Sequence, residues 1–213
     1  MYMAKNYRIN IGDQVYHVYN RANARAQIFY HHNDYLVFEQ ILEDSVKKFG
    51  MRLLAYCLMP NHWHFVLYPR KDGDLSRFME DVSKKHSKIW HYQKDVIGQG
   101  HLYQSRFKSD PVLNDTHFLN LVRYVERNAL SADLVKNAEN WQWSSGWRRK
   151  FGSLNKRKIL SKWPVPISDD YSIWLNASLG EIEENKIEIE LKKSTKLAKK
   201  QFNIPWGVWL PKQ

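Results

Sequence analysis

Two histidines separated by one residue, His62 and His64, are the sharpest chemical feature of the sequence. They fall in the run HWHFVLY, whose apolar and aromatic residues predict a β-strand over 62–68. Side chains at positions i and i+2 of a strand point to the same face of the sheet, so both imidazoles would project together and Trp63 would project oppositely. Such a pair can bind one divalent metal ion through its ring nitrogens, although His-x-His on a strand can also be purely structural.

A third ligand and a nucleophile can come from a helix predicted to start at Asn114 or Asp115 and to reach Asn128. Tyr124 and Asn128 are four residues apart, about 40° around a helix axis, so they share one edge of its apolar stripe. The Asn128 amide oxygen would complete a nitrogen and oxygen ligand set that suits magnesium or manganese better than structural zinc. The Tyr124 phenol would then lie one turn from the metal, although a boundary tyrosine with its hydroxyl in water gives the same pattern.

The elements that must position these groups follow one another as β-α-β-β-α-β, with a further helix behind them. This order is that of the ferredoxin-like split β-α-β fold, so we predict an α+β domain with an antiparallel sheet and helices on one face. The predicted segments are a strand over 14–20, a helix capped by Asn33 or Asp34 and ending at Phe49 before Gly50, strands over 51–59 and 62–68, a helix capped by Asp74 and ending near Tyr92, an extended segment over 101–113, and the helix that carries Tyr124.

Composition divides the chain into a domain over 1–130 and a basic, tryptophan-rich extension with a tail over 131–213. The stretch over 146–163 contains seven basic residues and no acidic one, and three tryptophans precede or begin it. Cations beside flat rings suit single-stranded or looped nucleic acid, but they also suit a helix that packs its tryptophans inward. Further on, we predict a charged helix near 180–201 and an apolar terminus, NIPWGVWLP, that docks onto the body. The predicted DNA contacts in the extension are Arg148, Arg149 and Lys150.

The net charge of +11 and the pI near 9.6 favour a polyanionic partner, which inside a cell is usually nucleic acid. No apolar stretch approaches the roughly 20 residues that span a bilayer, and the N-terminus, MYMAKNYRIN, lacks the apolar core of a secretory signal. We therefore expect a cytoplasmic protein without a membrane partner. Its single cysteine, Cys57, lies in an apolar run and is expected to be a buried, inert thiol.

The run AYCLMPNHWH over 55–64 resembles the signature of the single-tyrosine HUH transposases, especially the branch of REP-associated tyrosine transposases. The resemblance covers residues 14–147 and departs from the family at Ala22, where glycine is usual, and at Ala129, where proline is usual. Four further segments match in the same order: YHV with NR and IF over 16–29, GHLYQSRFKS over 100–109, RYVERN over 123–128, and WSS over 143–145.

This resemblance implies a domain that nicks and joins single-stranded DNA. The metal at His62, His64 and Asn128 would polarise the scissile phosphate, and Tyr124 would attack phosphorus to give a 5′-phosphotyrosine link and a free 3′-hydroxyl. The implied substrate is hairpin DNA of the repeated extragenic palindrome kind. The choice between a monomer and a homodimer stays open, because some relatives donate the tyrosine helix to a partner subunit. Further candidates for DNA contacts are Arg21, Arg106 and Lys108.

Two other functions compete with this interpretation. The same element order occurs in RNA-recognition domains, where Tyr16, Trp63 and Phe65 would stack bases, although no RNP-like string is present. Alternatively, the chain could be a catalytically silent relative that only binds hairpins. The presence of both histidines together with Tyr124 and Asn128 argues against such a silent binder.

Overall fold

The structure, a computed structural model, describes residues 10–98, 100–166 and 169–177. The predicted helix near 180–201 and the predicted apolar terminus lie outside these residues. None of the helices in the described ranges is both long and apolar enough to cross a membrane. The elements are β1 (Tyr16–Arg21), a 3-10 turn (Asn23–Arg25), α1 (His32–Phe49), β2 (Arg52–Met59), β3 (His62–Tyr68), α2 (Asp74–Gln93), β4 (Lys108–Pro111), α3 (Asp115–Ser131), a second 3-10 turn (Ala138–Asn140), α4 (Ser145–Phe151), α5 (Leu154–Arg157) and α6 (Tyr171–Asn176).

The four strands form one antiparallel sheet in the order β2-β3-β1-β4. The predicted element order and the ferredoxin-like α+β fold are thereby confirmed. The segment predicted to be extended over 101–113 forms a regular strand only in β4. Ahead of β4, the backbone N–H of Gln104 donates to the carbonyl of Arg21 at 3.0 Å and Tyr103 bridges Ala22, so residues 102–104 follow the end of β1.

The sheet carries helices on both faces. As predicted, α1 and α2 lie together on one face, where they cover the fully buried rings of Tyr16, Trp63 and Phe65. Rings buried in this way cannot stack nucleic-acid bases, so the RNA-recognition arrangement is excluded. α3 packs on the opposite face, which the prediction of helices on one face did not include. There, buried residues of α3 pack against side chains of β2 and β3, among them Leu54, Cys57 and Val66. Burial raises the pKa of the Cys57 thiol.

The start of α1 differs from the prediction, whereas its end agrees with it. The Asp34 carboxylate accepts hydrogen bonds from the backbone N–H groups of Tyr30 at 2.7 Å and His31 at 2.9 Å, so Asp34 lies at the third helical position of a capping box. The helix therefore begins after His31, and the predicted cap at Asn33 or Asp34 is wrong. Gly50 ends the helix as predicted, because its φ of 58° is in the left-handed region that glycine adopts without strain.

The two later long helices show the same contrast. Asp74 is the first residue of α2 and follows Gly73, so it is not the cap. Its carboxylate instead accepts from the backbone N–H of Lys71 at 3.1 Å. At α3 the first of the two predicted alternatives is confirmed, since the Asn114 side chain caps the helix by accepting from the N–H of His117 at 2.8 Å.

The residues after α3 supply hydrogen-bond partners for backbone groups of the edge strand β2. The backbone N–H of Leu58 donates to the carbonyl of Trp143 at 2.9 Å, and the indole N–H of Trp141 donates back to the carbonyl of Leu58 at 2.9 Å. Farther along the strand, the indole N–H of Trp163 donates to the carbonyl of Leu54, also at 2.9 Å. An edge strand with unpaired backbone groups invites aggregation, and the extension removes that hazard. Trp141 and Trp143 therefore pack inward, which is the structural alternative that the sequence left open, while Trp147 is half-buried.

The basic residues of α4 are held in ion pairs with carboxylates of the domain and, for Lys150, with Glu139 of the extension. Arg148 is only 3% exposed, so the prediction that it contacts DNA is wrong. Its guanidinium pairs with Glu39 at 2.9 Å and with Glu43 at 3.2 Å. Arg149 lies over the Trp163 ring at 4.6 Å and pairs with Glu126 at 3.5 Å, and Lys150 pairs with Glu139 at 2.6 Å. These pairs cancel the local surplus of positive charge on which the predicted DNA contacts of Arg149 and Lys150 depended.

Buried histidines should make the fold sensitive to acid. Burial lowers the pKa of His86 from 6.5 to about 3, so the unfolded chain binds a proton that the folded chain excludes. Stability from this group is complete above pH 6.5 and falls as the pH drops toward the folded pKa. We expect His86→Gln, which keeps a partner for the Tyr103 hydroxyl, to reduce the pH slope of the unfolding free energy by about 1.4 kcal/mol per pH unit between about pH 6 and pH 4. Urea unfolding across that range measures the slope, and an unchanged slope would contradict the burial argument.

Candidate active site

The two predicted histidines lie side by side on β3 and face α3. Their ring centroids are 5.1 Å apart, while Trp63 between them is fully buried on the other face. In the antiparallel register, His64 is opposite Tyr19 and His62 is opposite Arg21, at the end of β1. The i, i+2 prediction for the strand is therefore confirmed.

α3 brings the predicted tyrosine and asparagine to the same place. The half-buried ring of Tyr124 meets the His64 ring edge to face, with centroids 5.6 Å apart and planes at 90°. The Asn128 side-chain NH₂ donates to the carbonyl of Tyr124 at 3.0 Å, which turns the amide oxygen toward His62, its other side-chain partner. All four residues come from one chain, so the tyrosine helix reaches the histidines without a partner subunit.

Both imidazoles are neutral at physiological pH. Burial lowers the pKa of His62 to about 4, helped by the positive charge of Arg21 and opposed by the Asn128 side chain. Burial also holds the pKa of His64 well below its ordinary value, with contributions from the neighbouring histidines and Arg21. A neutral imidazole keeps one nitrogen lone pair, which is the form that binds metal ions.

The contacts of His62 suit a cation. The Asn61 NH₂ donates to the carbonyl of Arg25 at 3.2 Å, so its oxygen is the atom 2.6 Å from the Nδ1 of His62. The single N–H of the neutral ring can satisfy only one of the two amide oxygens, of Asn61 and Asn128, that it meets. If the Asn61 oxygen accepts this N–H, the lone pair on the other ring nitrogen of His62 faces the Asn128 oxygen. Two acceptors that face each other in this way are stabilised by a cation between them. The residues present therefore fit a magnesium or manganese ion.

The described residues include no group of three or more histidine, cysteine, aspartate or glutamate side chains that could hold a metal ion by themselves. An ion at His62 and His64 would therefore depend on the Asn128 oxygen, and on water or substrate oxygens for its remaining ligands. The positive charge of Arg21 lies close to these histidines, where it can attract a phosphate group of the substrate.

Sequence reasoning missed a third histidine and a second tyrosine in this site. The Nε2 of His17 is 2.9 Å from the Nδ1 of His64, and burial lowers the pKa of His17 to about 3. The Tyr19 ring stacks on both, with its centroid 4.8 Å from that of His17 and 5.7 Å from that of His64. The signal was available in the alternation of the first strand, which places His17, Tyr19 and Arg21 on one face.

Three of the predicted DNA contacts are exposed, and two of them, Arg21 and Lys108, lie beside this site. Arg21 is close enough to lower the pKa values of His62 and His64. The Nζ of Lys108 lies 5.9 Å from the centre of the Tyr19 ring, and Arg106 precedes it on the segment that follows the end of β1. Arg21 and Lys108 therefore form a positively charged rim beside the histidines, while Arg148, Arg149 and Lys150 take part in the ion pairs of α4.

Residues 10–128, more than half of the chain, match the family described as IS200-like transposases. This chain belongs to the IS200-like transposase family, and the resemblance found in the sequence is confirmed.

Comparison with solved structures supports the fold. A REP-associated tyrosine transposase bound to a REP hairpin superposes with a TM-score of 0.58 at 17% identity, covering 80% of this chain and 96% of the other. A transposase candidate from Deinococcus radiodurans R1 has a TM-score of 0.41, also at 17% identity, covering 60% of this chain and 97% of the other. A comparison with curated protein sequences gave no match.

Proposed function

We propose that this transposase is a metal-dependent endonuclease and strand transferase for single-stranded DNA, with Tyr124 as the nucleophile. The observation that carries the proposal is the convergence of His62, His64, Asn128 and Tyr124 in one chain. The proposed substrate is hairpin DNA of the repeated extragenic palindrome kind. It is supported by the resemblance in the sequence motifs and by the REP hairpin that the structurally similar transposase binds.

In the proposed reaction, the Tyr124 hydroxyl oxygen bonds to the scissile phosphorus. The bond from phosphorus to the 3′ oxygen breaks, so one strand end is held as a 5′-phosphotyrosine. The Tyr124 hydroxyl gives up its proton to solvent, and the 3′ oxygen takes one from solvent to become a 3′-hydroxyl, so the step balances. That hydroxyl, or one from a new strand, reverses the step. Because the phosphodiester is conserved in a covalent bond, rejoining needs no ATP.

The side chains of the site contribute in three ways. His62, His64 and Asn128 would hold the ion, which when bound offsets charge on the phosphate oxygens and is worth several kcal/mol. A phenol with an ordinary pKa near 10 is a weak nucleophile at pH 7, so positive charge near Tyr124 is needed to favour its phenolate. Arg21 and Lys108 lie where they can attract the DNA backbone to this position.

Cleavage in the presence and absence of a chelator tests the proposal. We expect the full-length protein to cut a pool of hairpin oligonucleotides with randomised single-stranded flanks when Mn²⁺ or Mg²⁺ is added, and to stop on addition of EDTA. Cleavage of a fully duplex control should be much weaker. Binding of the pool without cleavage under any divalent ion would identify a silent binder instead.

The exposed cations Arg106 and Lys108, at the start of β4, should act through the phosphates. We expect Arg106→Ala and Lys108→Ala each to weaken hairpin binding about equally for all sequences and to reduce the slope of log K against log salt by about 1. Lys158→Ala is the matched control, because Lys158 is an exposed cation of the extension, away from the rim. Fluorescence anisotropy over a salt series measures the slope. If either variant relaxed the preference at one base, that side chain would be a base reader.

A further inference from the structure

His17 is a buried, hydrogen-bonding group that the proposed reaction does not use. It lies on β1, is 7% exposed, and its ring is nearly parallel to that of His64, with an angle of 16° between the planes. The Nε2 of His17 and the Nδ1 of His64 are 2.9 Å apart, which is an ordinary hydrogen-bond distance. A second buried polar ring in contact with a candidate metal ligand calls for a physical reason.

Counting protons shows what this contact decides. A neutral imidazole has one N–H and one lone pair, so one ring of the pair must donate and the other must accept. If His64 donates from Nδ1, its Nε2 keeps the lone pair and can bind a cation. If His17 donates from Nε2, the proton of His64 must lie on its own Nε2, and that nitrogen can bind no cation. The tautomer of His17 therefore controls whether His64 is a ligand.

We propose that His17 is a positioning residue that accepts the Nδ1–H of His64 and thereby holds the Nε2 of His64 ready for the divalent ion. This inference rests on the metal site of the proposed function. Histidines that bind metals commonly donate their other N–H to a carboxylate, a carbonyl or a water molecule, which fixes the tautomer and the ring orientation. Here an imidazole takes that place. The two bonded nitrogens point at each other, so they do not share an ion between them.

Tyr19 helps to fix the geometry of this pair. Its ring stacks on both imidazoles, and its hydroxyl is hydrogen-bonded to Asp110 on β4. The Tyr124 ring meets His17 edge to face at a centroid distance of 6.0 Å. His17 is thus held between the sheet and α3, where its ring contacts His64, Tyr19 and Tyr124.

The first measurement needs neither metal nor DNA. Long-range ¹H–¹⁵N correlation spectra of the full-length, metal-free protein report which nitrogen of each histidine carries the proton. We expect His64 to be protonated on Nδ1 and His17 to have an unprotonated Nε2. The reverse assignment, with the proton of His64 on Nε2, would overturn the inference without touching the role of Tyr124.

The second measurement is the affinity for Mn²⁺, which electron paramagnetic resonance reports when Mn²⁺ is the only added ion. His17→Phe keeps a flat ring but has no acceptor, and we expect it to weaken Mn²⁺ binding about 10- to 100-fold. His17→Gln can accept through its amide oxygen and should recover most of that loss. His86→Phe is the matched control, because His86 is also buried and hydrogen-bonded but belongs to α2, on the other face of the sheet. This variant should leave Mn²⁺ affinity unchanged.

The outcomes separate this inference from the proposed function. Wild-type Mn²⁺ affinity in His17→Phe would exclude the positioning role and leave the metal site standing. A loss that His17→Gln does not restore would make His17 a ligand itself and overturn the inference. Absence of Mn²⁺ binding by the wild type would remove the metal site and, with it, this role of His17. If His17→Phe did not fold, the wild-type tautomer and the His17→Gln variant would still decide the question.

Discussion

Replacing Tyr124 by phenylalanine is expected to abolish the covalent protein–DNA adduct while leaving the affinity for hairpin DNA unchanged. Phenylalanine keeps the ring that contacts His64 and His17 edge to face, so the packing of α3 should be preserved. It lacks only the hydroxyl oxygen that would bond to phosphorus. The adduct, seen as a slower band on a denaturing gel after incubation with the hairpin pool and Mn²⁺, should therefore fall below detection.

Tyr92→Phe is the control for this experiment. Tyr92 is 76% exposed and lies on α2, on the face of the sheet opposite to α3. The same chemical change there should therefore leave the adduct intact. Anisotropy measured on both variants checks that DNA binding is preserved. Adduct formation by Tyr124→Phe at the wild-type level would assign the nucleophile to another residue.

The largest expected effect on stability is that of Arg148→Met. The substitution keeps a long apolar side chain but leaves Glu39, with the Tyr56 hydroxyl beside it, buried without the cation. Breaking one partner of a buried ion pair typically costs about 3–5 kcal/mol of unfolding free energy. Urea unfolding followed by tryptophan fluorescence measures the loss. DNA binding by the folded fraction should be unchanged, because Arg148 does not face the rim.

Lys158→Met serves as the control for Arg148→Met. Lys158 belongs to the same basic stretch but is exposed, and surface substitutions of this kind usually change stability by less than about 0.5 kcal/mol. A loss well below 1 kcal/mol for Arg148→Met, together with weaker DNA binding, would contradict the structural role and restore the prediction made from charge alone.

The parts of the site that could be predicted depend on local geometry. Strand alternation places His62 and His64 on one face, and helical spacing places Tyr124 and Asn128 on one edge of α3. Neither rule says which strand pairs with β3. His17 contacts His64 only because β1 and β3 pair in one antiparallel register across 47 residues of sequence. Strand alternation groups His17 with Tyr19 and Arg21 on one face, but the contact of His17 with His64 was out of reach of any local pattern.

The basic extension shows the opposite error. Positive charge is visible in the sequence, but the carboxylates that pair with Arg148 are distant along the chain, since Glu39 lies 109 residues before it. The open choice over the tryptophans was likewise decided by tertiary contacts. The carbonyls of β2 at Leu54 and Leu58 accept from the indoles of Trp163 and Trp141. Charge and aromatic content alone could not distinguish an interface from a structural edge.

Mass spectrometry of the trapped adduct identifies the residue that is joined to DNA. Full-length protein is incubated with the hairpin pool and Mn²⁺, digested with protease and nuclease, and searched for peptides that carry a nucleotide 5′-phosphate. We expect the nucleotide to be attached to Tyr124, and we expect this modification to be present with Mn²⁺ and absent with EDTA. A nucleotide attached to any other residue, or an adduct that forms equally well with the chelator, would contradict this expectation.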